Sequence, residues 1–239
     1  MKKTVSPLLY LGIFTLLIVS SCKKNDYITG GVPENVNMYK NTSTYDVLAK
    51  NALYDTLIKV INAAGIKDKI NAQGSTFFAP SDYSIYNYLA TRTYVLQNTV
   101  NQNAQFGLDS LLYYVSNNIN GTRDSLSLYL IPQLLTYNIL TQTGAYYNTG
   151  LAGDKVIVSY ELTKDPNQGY NPVVSGYPRL VYFTQMWYPY DLSDDNPAGK
   201  VPLNIGVHTL VTSSGLQTQN GIIHSLTNSH VLFFYGTKQ

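Results

Sequence analysis

The sequence predicts an α+β fold, and three stretches carry that expectation. Residues 76–82, Thr-Phe-Phe-Ala-Pro-Ser-Asp, read as a short strand that turns sharply into a helix. Leu53, Leu57, Val60, Ile61 and Ala64 recur at the spacing of a helix with one apolar face. Val156, Val158 and Tyr160 alternate with Ile157 and Ser159, the pattern of a strand buried on both faces.

Residues 1–21 form a leader rather than part of the fold. Lys2 and Lys3 make a basic start, and the apolar run 8–19 is too short for a comfortable membrane span. Val19-Ser20-Ser21-Cys22 matches the bacterial lipobox, and Cys22 is the only cysteine in the chain. A lone thiol there fits lipidation better than a disulfide or a catalytic role. Acyl chains hold a protein on a membrane at about 0.8 kcal/mol per buried methylene. The expected organisation is therefore a lipoprotein signal peptide (1–21), a lipidated tether (22–38) and one domain (39–236). Lys23, Lys24 and Asp26 resemble the charged export tags of surface-displayed Gram-negative lipoproteins.

Charge excludes one class of partner. Lys and Arg number 16 against 14 Asp and Glu, and the excess is the leader's two lysines. The mature chain is neutral, and nothing in it argues for nucleic acid, which would need a clustered basic surface.

The elements follow in order. Ser43-x-x-Asp46 starts a first helix that ends near Lys50. The second helix stops at Gly65, and residues 66–70 make a short turn before the central strand. Thr76, Phe77 and Phe78 suit a buried strand. Pro80 ends it, because proline cannot donate to a ladder, and holds Ala79 extended. Ser81 or Asp82 then offers a capping oxygen to a helix over 83–90.

Residues 91–125 are rich in asparagine (Asn98, Asn101, Asn103, Asn117, Asn118, Asn120) and read as a surface excursion with a helix over 108–115. Apolar patterning resumes at 126–140, and 155–162 is a buried strand. Residues 163–202 contain Pro166, Pro172, Pro178, Pro189 and Pro197, so they read as exposed loops around an added strand over 181–188. Asn220-Gly221 suggests a tight turn that needs positive φ at both residues. Two apolar strands follow it, the last at 231–234.

Four of these segments, in this order, resemble the fasciclin (FAS1) family. They are the corner at 76–82, the preceding Ala63-Ala64-Gly65-Ile66, the segment Leu134 to Leu140, and Asn220-Gly221-Ile222-Ile223-His224 with its closing run. In the third, Tyr137 is followed by Asn138 where the family usually has histidine, so no role of that histidine carries over. The resemblance implies a twisted β wedge with helices packed at one end, here with family-atypical insertions at about 91–125 and 163–202. It also implies a binding and adhesion module without catalysis or cofactor.

The residues themselves agree. His208, His224 and His230 are the only histidines, and none makes the helical His–Glu pairing of a zinc hydrolase. There is no Gly-x-Ser-x-Gly elbow, phosphate loop or dinucleotide fingerprint. His224, beside the Asn-Gly turn, fits a structural role better than a functional one. Asp191, Asp194, Asp195 and Asn196 lack the spacing of a calcium loop. Tyrosine, however, occurs 22 times against 7 Phe and 1 Trp, and flat amphipathic rings suit sugar stacking and protein hot spots. Trp187, Tyr188 and Tyr190, flanked by prolines and aspartates, are the candidate binding residues. Two functions stay open: a lipid-anchored outer-membrane module binding an extracellular glycan or protein, and an accessory subunit of an outer-membrane uptake receptor.

Overall fold

The computed structural model describes residues 38–173 and 176–238. The leader, Cys22 and the tether up to residue 37 lie outside the described residues. No helix among the described residues is long and apolar enough to cross a membrane.

The first helix, α1 (Thr44–Ala49), begins where three of its orphan N–H groups find side-chain oxygens. Thr44 donates to Oδ1 of Asn220 (2.8 Å), Tyr45 to Oδ1 of Asn71 (2.9 Å) and Asp46 to Oγ of Ser43 (3.2 Å). Only the third partner is local, so α1 is pinned to distant parts of the chain. Helix α2 (Asp55–Ala64) buries Leu57, Val60, Ile61 and Ala64, as its periodicity requires, and ends at Gly65 in the left-handed region (φ 66°). One further turn, α3 (Lys67–Ile70), leads into β1 (Ser75–Ala79), whose five residues are all buried.

Helix α4 (Asp82–Thr99) runs well past the expected end at residue 90. The stretch 91–125 is accordingly not a mere surface excursion. Phe106 is buried, with edge-on contacts to Tyr88 (5.9 Å) and Tyr114 (5.1 Å), and α5 (Leu108–Ser116) buries Leu111 and Val115. The asparagines misled because they sit at helix ends and turns, where their amides bond to backbone rather than mark an excursion: those of Asn98 and Asn117 donate to carbonyls one turn back.

After α6 (Thr122–Ser125) come six strands: β2 (Leu130–Ile131), β3 (Ala145–Asn148), β4 (Lys155–Leu162), β5 (Arg179–Met186), β6 (Gly206–Gln217) and β7 (Gly221–Leu226). They join β1 in one seven-stranded sheet of order β2-β1-β7-β6-β5-β4-β3. Only β1 and β7 run parallel. Just beyond β3 the N–H of Gly150 donates to the carbonyl of Leu130 in β2 (2.7 Å), so the two edges of the sheet meet and it nearly closes. Two register shifts interrupt the β6–β7 ladder, and irregularities of this kind bend and twist a strand.

Two expectations change here. Strand β5, expected as an added strand between exposed loops, is present and is an interior strand, paired on both sides, within the stretch 163–202. Residues 231–234 do not form a closing strand. They make a 3-10 turn, Leu232–Phe234, in which Phe233 and Phe234 have φ of 61° and 52°. The turn is held because the N–H of Phe233 donates to the hydroxyl of Tyr129 (2.7 Å) while Phe234 enters the core.

The core is organised by rings. Phe78 of β1 lies 4.5 Å from Phe183 of β5 and 4.8 Å from His224 of β7. Phe183 in turn neighbours Tyr129 (6.2 Å) and Phe234 (6.0 Å), and Trp187 meets Phe234 edge-on (6.2 Å). Truncating a ring so buried typically costs about 3–5 kcal/mol. An aromatic spine therefore links β7, β1, β5 and the C-terminal turn.

Candidate functional site

Two of the four stretches that carry the family resemblance are brought side by side. Ser75, Thr76, Phe77, Phe78 and Ala79 pair in register with Gly221, Ile222, Ile223, His224 and Ser225. A β-carbon on Gly221 would stand 2.4 Å from the carbonyl oxygen of Ser75, so only glycine permits this approach. Neither Asn220 nor Gly221 has a positive φ, so the expected mirror-image turn is absent. Asn220 instead gives Oδ1 to the start of α1, and its carbonyl accepts from the N–H of Gly74 (2.8 Å).

The polar groups of this pair look inward. Thr76 donates its hydroxyl to the carbonyl of Gln133 (2.7 Å) and accepts from the N–H of Leu135 (2.8 Å). His224 is fully buried and stacked on Phe78 with planes 13° apart. Its Nδ1 accepts from the N–H of Gly215 (3.3 Å), so the proton sits on Nε2, which faces the carbonyl of Leu135 (3.2 Å). Burial holds its pKa down to about 4, and that of His230 down to about 3, so both imidazoles are neutral. His230 meets the hydroxyl of Tyr129 through Nε2 (2.8 Å). His224 ties β7 to the segment at Leu135, and His230 ties the C-terminal segment to Tyr129.

The corner after β1 differs from its expected form. Pro80 and Ser81 are buried, and Ser81 occupies the cap position of α4 without a side-chain bond to that helix. Its hydroxyl goes to Oδ1 of Asn228 (2.9 Å). Asp82 reaches across to α2 instead, accepting the N–H groups of Thr56 (2.9 Å) and Leu57 (3.0 Å). The capping oxygen exists, but it serves another helix.

Tyr137 and Asn138 lie in a turn outside this inner network. Asn138 is exposed and its side chain makes no hydrogen bond among the described residues, whereas Tyr137 stacks on Arg179 (4.6 Å). The inward contacts come from the backbone of Gln133 and Leu135, just before them.

The three candidate binding residues separate. Trp187 packs half-buried against Phe234, with Nε1 buried and unpartnered. Tyr188 is 50% exposed, with the Lys238 ammonium over its ring (4.6 Å). Tyr190 is tied through its backbone to Tyr146, whose hydroxyl donates to the Tyr190 carbonyl (2.9 Å). The tryptophan is thus part of the core's cover, and the tyrosine beside it faces solvent.

A hydroxyl–imidazole–carboxylate chain went unnoticed in the sequence. Thr184 Oγ1 meets Nδ1 of His208 (2.6 Å), and Nε2 of His208 meets Glu161 (3.2 Å). Tyr182 stacks on the imidazole at 4.0 Å. Burial lowers the His208 pKa despite the opposing pull of Glu161. A nucleophile must meet its substrate, yet here the hydroxyl is fully buried and the carboxylate is the open end. The arrangement staples β4, β5 and β6. Its only sequence signal is same-face alternation within each strand, which says nothing about which strands are neighbours. Among the described residues no group of three His, Cys, Asp or Glu is placed to hold a metal.

No family model matches the chain, and no curated protein matches it. Among solved structures it is similar to a FAS1 domain pair from the insect cell adhesion molecule Fasciclin I, at 14% identity and a TM-score of 0.42. The match covers 77% of this chain and 46% of that one, so the chain spans about half the length of the matched structure.

Proposed function

We propose that the protein is a non-catalytic binding module of the fasciclin type, lipid-anchored at Cys22 in the outer membrane and presenting its domain to an extracellular glycan or protein. One observation carries this reading: the three histidines are taken up in hydrogen bonds within the fold, while large rings remain outside. On α4, Tyr83, Tyr86 and Tyr94 are 57%, 69% and 68% exposed. Their spacing places them along one helical face. The two charged residues of that helix do not compete there, since Asp82 caps α2 and Arg92 lies among the rings of Phe106, Tyr114 and Tyr235. What faces solvent is a neutral tyrosine stripe, and such rings bury area at low cost in side-chain entropy.

The test pairs a glycan array and cell-surface capture with two variants. Tyr86→Ser with Tyr94→Ser is expected to weaken binding by about 2 kcal/mol or more at unchanged melting temperature. Cys22→Ala is expected to release the protein into a soluble fraction. Undiminished binding by the double variant removes the stripe from the site, and a Cys22→Ala protein that stays membrane-bound removes the anchor.

A further inference from the structure

The end of the sheet where β4 passes into β5 carries a strip of rings and cations that begins at the edge of the core, where Tyr160 packs against it, and runs outward from there. Leu162 lies opposite Arg179, and Tyr160 opposite Val181. The N–H of Thr163 donates to the carbonyl of Pro178 (3.0 Å), which carries the ladder one rung further and sets Lys164 across from Tyr177. Strand alternation puts Tyr160, Lys164, Tyr177 and Arg179 on one face. The Arg179 guanidinium is 4.4 Å from the centre of the Tyr160 ring and 4.6 Å from that of Tyr137. The Lys164 ammonium lies over Tyr177 (5.2 Å), and Tyr170 stacks on Tyr177 at 5.6 Å with planes 22° apart.

The charge of this strip is uncompensated. Arg179 makes no hydrogen bond or ion pair among the described residues. Neighbouring acids are turned elsewhere: Glu161 points to the opposite face and meets His208, and Asp165 accepts the backbone N–H (2.9 Å) and the amide (3.1 Å) of Asn167. Two rings hold the guanidinium in place, and its planar fork of N–H donors matches a planar carboxylate. Lys164, just past the end of the neighbouring strand and one two-residue step (about 7 Å) further along the ladder, offers a second positive charge. Beside both cations, the rings of Tyr177 and Tyr170 and the exposed amides of Asn167 and Asn171 suit a ligand rich in rings and hydroxyls.

We propose that this strip is a docking surface for an acidic polysaccharide, one with carboxylates on successive sugar rings. Arg179 takes one carboxylate in a bidentate pair, Lys164 takes the next, and Tyr177 with Tyr170 receives a sugar face. The proposal rests on the binding-module reading, narrows its ligand and uses a surface separate from the α4 stripe.

Calorimetric titration of the purified full chain tests it, with oligogalacturonate, neutral dextran and poly-L-glutamate as probes at low and raised salt. Oligogalacturonate is expected to bind in a salt-sensitive manner, with dextran and poly-L-glutamate much weaker. Arg179→Ala is expected to lose about tenfold or more in affinity, as for a charged hydrogen-bond pair. Arg179→Lys should recover only part, because a point charge replaces the fork. Lys164→Ala, an exposed site whose loss leaves folding unchanged, should weaken binding as well, while Tyr86→Ser with Tyr94→Ser leaves it intact. Wild-type affinity in both Arg179→Ala and Lys164→Ala overturns the proposal. Equal binding of poly-L-glutamate with the same dependence on Arg179 overturns it in favour of an acidic peptide. Silence toward oligogalacturonate while a ligand of the α4 stripe still binds sinks this proposal alone; loss of every ligand sinks the binding module with it.

Discussion

The imidazole of His224 lies parallel to the ring of Phe78, 4.8 Å away, and its two nitrogens are both occupied by backbone groups. The contact joins β7 to β1 with an uncharged histidine sealed inside. Protonation is therefore coupled to unfolding. The unfolded chain takes up protons near the ordinary pKa of 6.5, and the folded one only near 4 for His224 and 3 for His230. Stability contributed by these groups is complete above about pH 6.5 and falls as the pH drops toward 4 and below. For His224 alone the loss is on the order of 3 kcal/mol. Denaturation midpoints measured from pH 7 to pH 4 should decline, and His224→Gln should flatten the slope. A midpoint independent of pH across that range contradicts the buried neutral state.

Gly221→Ala places a methyl group 2.4 Å from a backbone oxygen of β1, an obstacle that cannot swing aside as a flexible side chain could. Overpacking of this kind costs about 1–3 kcal/mol, with the upper end expected where the obstacle is backbone. Gly107, with nothing within 4 Å of its virtual β-carbon, is the matched control. Urea titration of both variants checks the difference. Equal midpoints would mean that the parallel pair is not as close as described.

Asp82→Ala removes the acceptor of two N–H groups at the start of α2, although the two residues it serves lie far away in sequence. Loss of such a cap costs about 1–2 kcal/mol. Amide exchange should quicken first at Thr56 and Leu57 rather than at the start of α4. Faster exchange confined to α4 would restore the local cap that the corner seemed to promise.

Trp187→Ala and Tyr188→Ala are adjacent and should behave oppositely. Trp187 packs on Phe234, so its truncation should lower stability by about 2 kcal/mol, a discounted value for a half-buried ring. Tyr188, half exposed, should leave the melting temperature nearly unchanged. Thermal melts of the two variants decide this, and indole fluorescence reports on the core rather than on a bound ligand.

Local order was legible in the sequence because caps, proline stops and periodic apolar faces are properties of consecutive residues. Residues 76–78 became a strand, α2 buried the face its spacing required, and both signature stretches proved to be buried strands. The mixture of helices and strands followed from the same signals. Which strands would be neighbours was not written there. Phe183 reads as one ring in a proline-rich stretch until β5 is placed between β4 and β6, where it becomes the centre of the aromatic spine. Asp82 reads as the cap of its own helix until folding sets α2 beside it. Trp187 reads as a loop aromatic until Phe234, turned by two positive φ angles, comes to meet it. The cation strip depends on β4 and β5 sharing a register across a long connection. Each is a contact between residues distant in the chain, governed by shape, hydrogen-bond satisfaction and the closure of a sheet, and only the tertiary structure brings such residues into reach.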